Sequence, residues 1–235
     1  MTKDSLDTSL TIGRRLRLVK SLRNKGNFSE AVLDAIKAIP RHIFVERGLE
    51  DFAYENTPIA IGNGQTISQP ETVALQTQLL APQKGSKVLE IGTGCGYQSA
   101  ILRYLGVRLF TIERQKELCL AAKGNLGKLG YSDIYMKWGD GFEGLPEFAP
   151  FDGIIVTCGA PDVPENLLKQ LNVGGKMVIP VDIAQAKGQQ LQVLTRNSAT
   201  EFTRKILGTV DFVPMLKGKT SQGTNPTTIR NKKSL

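Results

Sequence analysis

The chain has 235 residues, with 30 Lys+Arg, 22 Asp+Glu and one His, for a formal net charge of +8. Its 40% hydrophobic and 22% charged content is that of a globular protein and excludes global disorder, while the longest apolar run, the five residues 118–122, falls far short of the about 20 needed to span a bilayer. Three separated cysteines (Cys95, Cys119, Cys158) and a single His leave no zinc spacing, so no metal site is expected, and the N-terminus lacks an apolar signal region.

Residues 1–25 hold seven basic and two acidic residues, and 217–235 hold five basic and none acidic, which leaves 18 basic against 20 acidic in the body. The basicity is terminal. It reads as a solvated helix face plus a tail, or as arms for acidic partners, although no aromatic residue lies within either run to stack on bases. The chain divides into a basic segment 1–27, a single domain 28–216, and a tail 217–235 that lacks a core pattern and is expected to be disordered.

Ile12, Leu16, Val19 and Leu22 recur at helical spacing, and a second helix is predicted over 29–38, after the break at Gly26 and Asn27. Residues 39–69 form a loop-rich stretch. Ser68 and Glu71, with Pro70 between them, have the spacing of a capping box at a helix start. From residue 84, strands at 87–91, 108–112, 134–138, 153–157 and 176–181 alternate with helices at 97–105, 114–129 and 164–171. Two further runs, 190–195 and 202–210, suit an antiparallel pair at the edge. This is an α/β pattern: a doubly wound, Rossmann-like sheet, mostly parallel with an antiparallel edge, plus N-terminal helices.

The first of these strands runs directly into Gly92, Gly94 and Gly96. Such a turn lets backbone N–H groups approach a ligand without Cβ obstruction, although glycines can also serve chain reversal alone. A dinucleotide fingerprint wants its third glycine at position 97, where Tyr97 stands. With Glu90 in the strand and Thr93 in the turn, the spacing resembles the first motif of class I S-adenosylmethionine-dependent methyltransferases. Glu113 closes the second strand 21 residues after Gly92, where a carboxylate can accept both ribose hydroxyls or simply favour a helix N-terminus. The resemblance assigns Asp140, with Gly141, to the adenine; by itself, Asp140 is equally a turn former. Asp152 falls at the opposite end of the sheet and reads as structural.

Upstream, residues 53–58 and the run Gly64, Gln65, Thr66, Ile67, Ser68, Gln69, Pro70 carry a more specific likeness. Together with 88–94, 155–157 and 171–181, they resemble the protein-L-isoaspartate O-methyltransferase family over roughly residues 28–216. Cys95, Cys158 and Asn63 depart from its usual residues. The resemblance implies S-adenosylmethionine as cofactor and Ser68 as the active-site residue, with Thr66 and Ile67 beside it at the substrate. It further implies a cytoplasmic monomer acting on isoaspartyl peptides and proteins, with neither membrane nor nucleic acid as partner. The reaction is methylation of the free α-carboxylate of L-isoaspartyl residues. A carboxyl group with a pKa of about 4 is already a nucleophile at neutral pH, so no general base is required. His42 therefore reads as structural, which also disfavours a hydrolytic triad. An RNA or other nucleic-acid methyltransferase, or a nucleic-acid-binding module with basic arms, is the alternative; it lacks the motifs that hold an exocyclic amine or attack a ring carbon.

Overall fold

The computed structural model describes residues 6–221. Helix α1 (Ser9–Asn24) starts at a capping box, in which Thr8 Oγ1 accepts from Thr11 N at 3.2 Å and Thr11 Oγ1 accepts from Thr8 N at 2.9 Å. Its Leu18, Val19 and Leu22 are buried in one core with Val32, Leu33 and Ile36 of α2 (Glu30–Ala38). Four of its cations meet carboxylates, two of them far along the chain. Arg14, Arg15, Arg23 and Lys25 pair with Asp51, Asp7, Glu30 and Glu71. The basic N-terminal segment is thus a packed helix whose cations are largely neutralised within the chain.

The loop-rich stretch contains two 3-10 turns (Arg41–Phe44 and Glu50–Phe52) and a two-residue hairpin, β1 (Ile59–Ala60) against β2 (Thr66–Ile67). In the connection Gly62, Asn63 and Gly64 all take positive φ, which favours these residue types. Helix α3 (Pro70–Leu80) follows, with Pro70 at its start as predicted. The expected capping box does not form: the N-cap is Gln69, and no side chain of its own caps the helix. Asn56 does this from the preceding loop, its Oδ1 accepting from Glu71 N at 3.0 Å and its Nδ2 donating to Glu71 Oε2 at 2.7 Å. Ser68 is thereby released from the capping role.

The remaining elements are β3 (Lys87–Ile91), α4 (Tyr97–Tyr104), β4 (Arg108–Glu113), α5 (Lys116–Lys128), β5 (Tyr135–Trp138), β6 (Phe151–Val156), α6 (Glu165–Lys169), β7 (Leu171–Asp182), β8 (Gln189–Arg196) and β9 (Phe202–Val210). They build a seven-stranded sheet of order β5-β4-β3-β6-β7-β8-β9. Pairing is parallel from β5 to β7 and antiparallel from β7 to β9, as the sequence pattern predicted. The chain moves outward from β3 through β4 to β5, then returns to the other side of β3 as β6. That reversal opens a crevice at the carboxyl ends of β3 and β6, where open α/β sheets bind ligands. Asp152 lies at the far end, accepting from Lys87 N at 2.8 Å, so its structural reading holds.

After β9 the chain crosses back over the crevice as a strap. Gly159 N donates to Val213 O at 2.8 Å, Met215 N to Gly159 O at 2.7 Å, and Thr220 N to Arg114 O at 2.8 Å. The tail expected to be disordered from residue 217 is therefore pinned through Thr220; the rest of that segment, 222–235, lies outside the described residues. Among the described residues, no helix is long and apolar enough to cross a membrane.

Candidate active site

A cavity opens at the crevice. Its floor is the turn after β3, where Gly92, Gly94 and Gly96 have φ of 93°, 54° and 92°, a region open to glycine and strained for other residues. A Cβ on Gly92 would stand 2.6 Å from Thr157 Oγ1, and one on Gly141 would stand 2.5 Å from Ile91 Cγ2. Without side chains, the turn packs directly against Thr157 and the Gly141 backbone directly against Ile91. Thr66, Ile67, Ser68, Thr93 and Gly141 line the same space, with Val213, Pro214, Met215 and Leu216 of the strap as its cover.

Glu113 reaches the cavity wall from the end of β4. Its Oε2 accepts from Gly94 N and its Oε1 from Gln115 N, each at 2.9 Å. Burial pushes its carboxyl above the ordinary range, opposed by these N–H donors. A carboxylate oxygen has two acceptor sites, so each keeps one for a ligand hydroxyl. Gly96 sits deeper, its Cβ position facing Leu126 at 3.2 Å, and serves the approach of α4 to α5.

Like Gly96, the predicted residues Glu90 and Asp140 lie away from the wall. Glu90 is fully buried beneath the turn, where Ser99 Oγ donates to its Oε2, and it does not line the cavity. Asp140 accepts from Phe142 N at 2.9 Å and from Gly218 N at 2.6 Å. It therefore closes a turn and pins the strap, while its neighbour Gly141 faces the cavity. Both positions follow from tertiary contacts that motif spacing does not encode.

Burial raises the Glu90 carboxyl to about 8 from an ordinary value of 4.5. Between those values the folded state holds a proton that the unfolded state has released, so stability falls as pH rises through that window and levels off above it. Glu90→Gln removes the titration. The melting temperature of the native chain should decline relative to this variant between about pH 5 and 8; parallel melting curves across that range would contradict the assignment.

Ser68 is partly buried, and its carbonyl accepts from Arg41 Nη2 at 2.7 Å. Ser68, Thr66, Thr157 and Val213 also border a second cleft with Pro58, Thr72 and Asp211. Ser68 and Thr66 thus stand where an outer groove meets the inner cavity. Cys95 and Cys158 line the inner cavity as well, and burial pushes their thiols to about 11 and about 12. Neither is a thiolate at neutral pH, so neither competes as an anionic nucleophile. His42 is held between Tyr54 OH at 2.7 Å and Leu6 O at 2.8 Å, in a structural role. The sequence reading includes neither the strap nor Thr157 in the site; the signals for them are Phe212 to Leu216 before the basic tail and the place of 155–157 among the family-like segments.

A switch-point crevice with a glycine cradle on β3 and a buried carboxylate ending β4, on a sheet of this order, defines a class I methyltransferase. A solved protein-L-isoaspartate O-methyltransferase superposes with a TM-score of 0.79 at 29% identity, covering 85% of this chain and 65% of its own. A Plasmodium falciparum structure, described as a beta-aspartate methyltransferase in complex with S-adenosyl-L-homocysteine, shares the fold at a TM-score of 0.76 and 23% identity, over 87% of this chain and 99% of its own. The protein-L-isoaspartate O-methyltransferase of Christiangramia forsetii is 50% identical over 216 residues, 91% of this chain and 99% of its own. That of Dictyoglomus thermophilum is 50% identical over 208 residues, 88% and 92% of the two chains. The family model for protein-L-isoaspartate(D-aspartate) O-methyltransferase matches residues 14–220, and the chain belongs to that family. The match takes in most of α1 and the strap, wider on both sides than the 28–216 expected from sequence motifs.

Proposed function

We propose that Ser68 and Thr66 present the free α-carboxylate of an L-isoaspartyl residue to S-adenosylmethionine held over Gly92, Gly94 and Gly141. The observation that carries this reading is the place of Ser68, on the boundary between the outer cleft and the inner cavity. The cradle fits the cofactor: Gly92, Gly94 and Gly141 present bare backbone to the cavity, and Glu113 has acceptor capacity left for ribose hydroxyls. When bound, S-adenosylmethionine supplies an electrophilic methyl group on a sulfonium.

The chain's own residues then have three tasks. Glu113 and the cradle orient the nucleoside. Ser68, Thr66 and the backbone at Ile67 hold the carboxylate, which is already ionised and needs no base. The strap excludes water from an encounter of anion and cation that disperses both charges. Glu90 and Asp140 support this arrangement from outside the wall, through the turn and the strap. The cavity is completed within one chain, which supports a monomer; sedimentation at 25.7 kDa tests that. Free thiols at Cys95, Cys119 and Cys158 suit a reducing cytoplasm, and localisation of a tagged chain tests it.

Calorimetry tests the cofactor assignment. S-adenosylhomocysteine should bind, and Glu113→Ala should weaken it by about 10-fold or more, since hydrogen bonds to a charged group are worth about 1.5–3 kcal/mol. Binding of NAD with none of S-adenosylhomocysteine would contradict it.

A further inference from the structure

Arg41 is fully buried, yet its guanidinium meets no carboxylate in an ion pair among the described residues. Its Nε donates to Ala53 O at 2.8 Å and its Nη2 to Ser68 O at 2.7 Å, while Nη1 has no partner among the described residues. The guanidinium carbon lies 4.7 Å from the centroid of the Tyr97 ring. Ser68 and Tyr97 both line the inner cavity, so Arg41 stands directly behind that wall. Arginine keeps its proton in proteins, and a buried cation with no counter-charge is costly to fold. A neutral side chain could satisfy one carbonyl without that cost. The charge itself therefore calls for an explanation, and an anion held at Ser68 provides one.

We infer that Arg41 is a positioning residue for the anionic substrate: it fixes the Ser68 backbone and sets a permanent positive charge behind the wall that receives the isoaspartyl carboxylate. This rests on the placement of that carboxylate at Ser68. The electrostatics specify which kinetic parameter is affected. The carboxylate carries a full negative charge when bound and loses it as the methyl group arrives. A fixed cation therefore favours the bound substrate more than the transition state, so removing it raises KM and leaves kcat equal or higher. A unit charge several ångströms away in an effective dielectric of about 20 changes an anion's affinity on the order of 10- to 100-fold.

The experiment compares two peptides that differ only in the isoaspartyl α-carboxyl group, one a free carboxylate and the other an α-carboxamide. Their binding to the full chain loaded with S-adenosylhomocysteine is measured alongside methyl-transfer kinetics. The native protein should prefer the carboxylate on the order of 10- to 100-fold. A buried charge is weakly screened, so the preference should persist in about 1 M salt. Arg41→Met should bring the two affinities close together and raise KM without lowering kcat, and Arg41→Lys should restore much of the preference. A purely structural role would weaken both peptides equally. That result, a preference abolished by salt, or Arg41→Lys behaving like Arg41→Met would each overturn the inference. If Arg41→Met does not fold, the salt series and Arg41→Lys still decide. Ser68→Ala separates the two levels: no effect on either peptide removes the carboxylate from Ser68, whereas an effect there with an unaltered Arg41→Met preference removes only the role of Arg41.

Discussion

Gly92→Ala should reduce S-adenosylhomocysteine affinity on the order of 100-fold or more, with a folded chain still visible by circular dichroism. Two independent effects combine at this position. The φ of 93° lies where an L side chain is strained, at a cost of about 1–3 kcal/mol. The added methyl would also stand 2.6 Å from Thr157 Oγ1, which cannot turn away cheaply. That hydroxyl's one proton lies between Gly92 O at 2.6 Å and Ile91 O at 3.0 Å as acceptors, and Thr157 N donates to Ile91 O at 2.9 Å. Relief must therefore come from the turn itself, which is the cofactor's cradle. Unchanged affinity in Gly92→Ala, measured by calorimetry, would show that the turn does not hold the cofactor.

Ser68→Ala should lower kcat/KM for an isoaspartyl peptide by about 10- to 150-fold, the range of one hydrogen bond to a charged group. S-adenosylhomocysteine affinity should stay within about 2-fold, because the cradle and Glu113 are untouched. Thermal stability should also be unaltered, since Gln69 is the N-cap of α3 and Asn56 satisfies Glu71 N. A fall in stability with full activity would reverse the assignment. The substrate brings its own nucleophile, so mass spectrometry during turnover should find no methyl or acyl adduct on Ser68, and a kinetically competent adduct would contradict the role given to its hydroxyl.

The parts of this molecule legible in its sequence are those written by neighbouring residues. The alternation of strands and helices from residue 84, the glycine turn, Glu113 at the end of β4 and the antiparallel edge all depend on spacing within a short window. What escaped the sequence depends on partners far along the chain. Two-residue strands such as β1 and β2 have no periodicity to read. The Ser68–Glu71 spacing suggested a capping box, but Asn56, 15 residues away from Glu71, took that role. The motif assigns Asp140 to the adenine, and the contact of its carboxylate with Gly218 N, 78 residues later, has no signal in that spacing. Glu90 occupies its motif position, yet the fold turns it into the interior. The basic terminal charge read ambiguously until Asp7, Glu30, Asp51 and Glu71 were seen opposite it.

An L-isoaspartyl linkage displaces the carboxylate that this enzyme methylates by one methylene from its normal place in the chain. The direct measurement incubates the full chain with methyl-labelled S-adenosylmethionine and two peptides of identical sequence, one with an L-isoaspartyl and one with a normal aspartyl residue. A misplacement of about 1 Å at a reacting centre can cost on the order of 100-fold in rate. Label should therefore enter the isoaspartyl peptide as a base-labile methyl ester, at least about 100-fold faster than the aspartyl one. Equal labelling of both peptides, or label entering only added RNA or DNA, would contradict it.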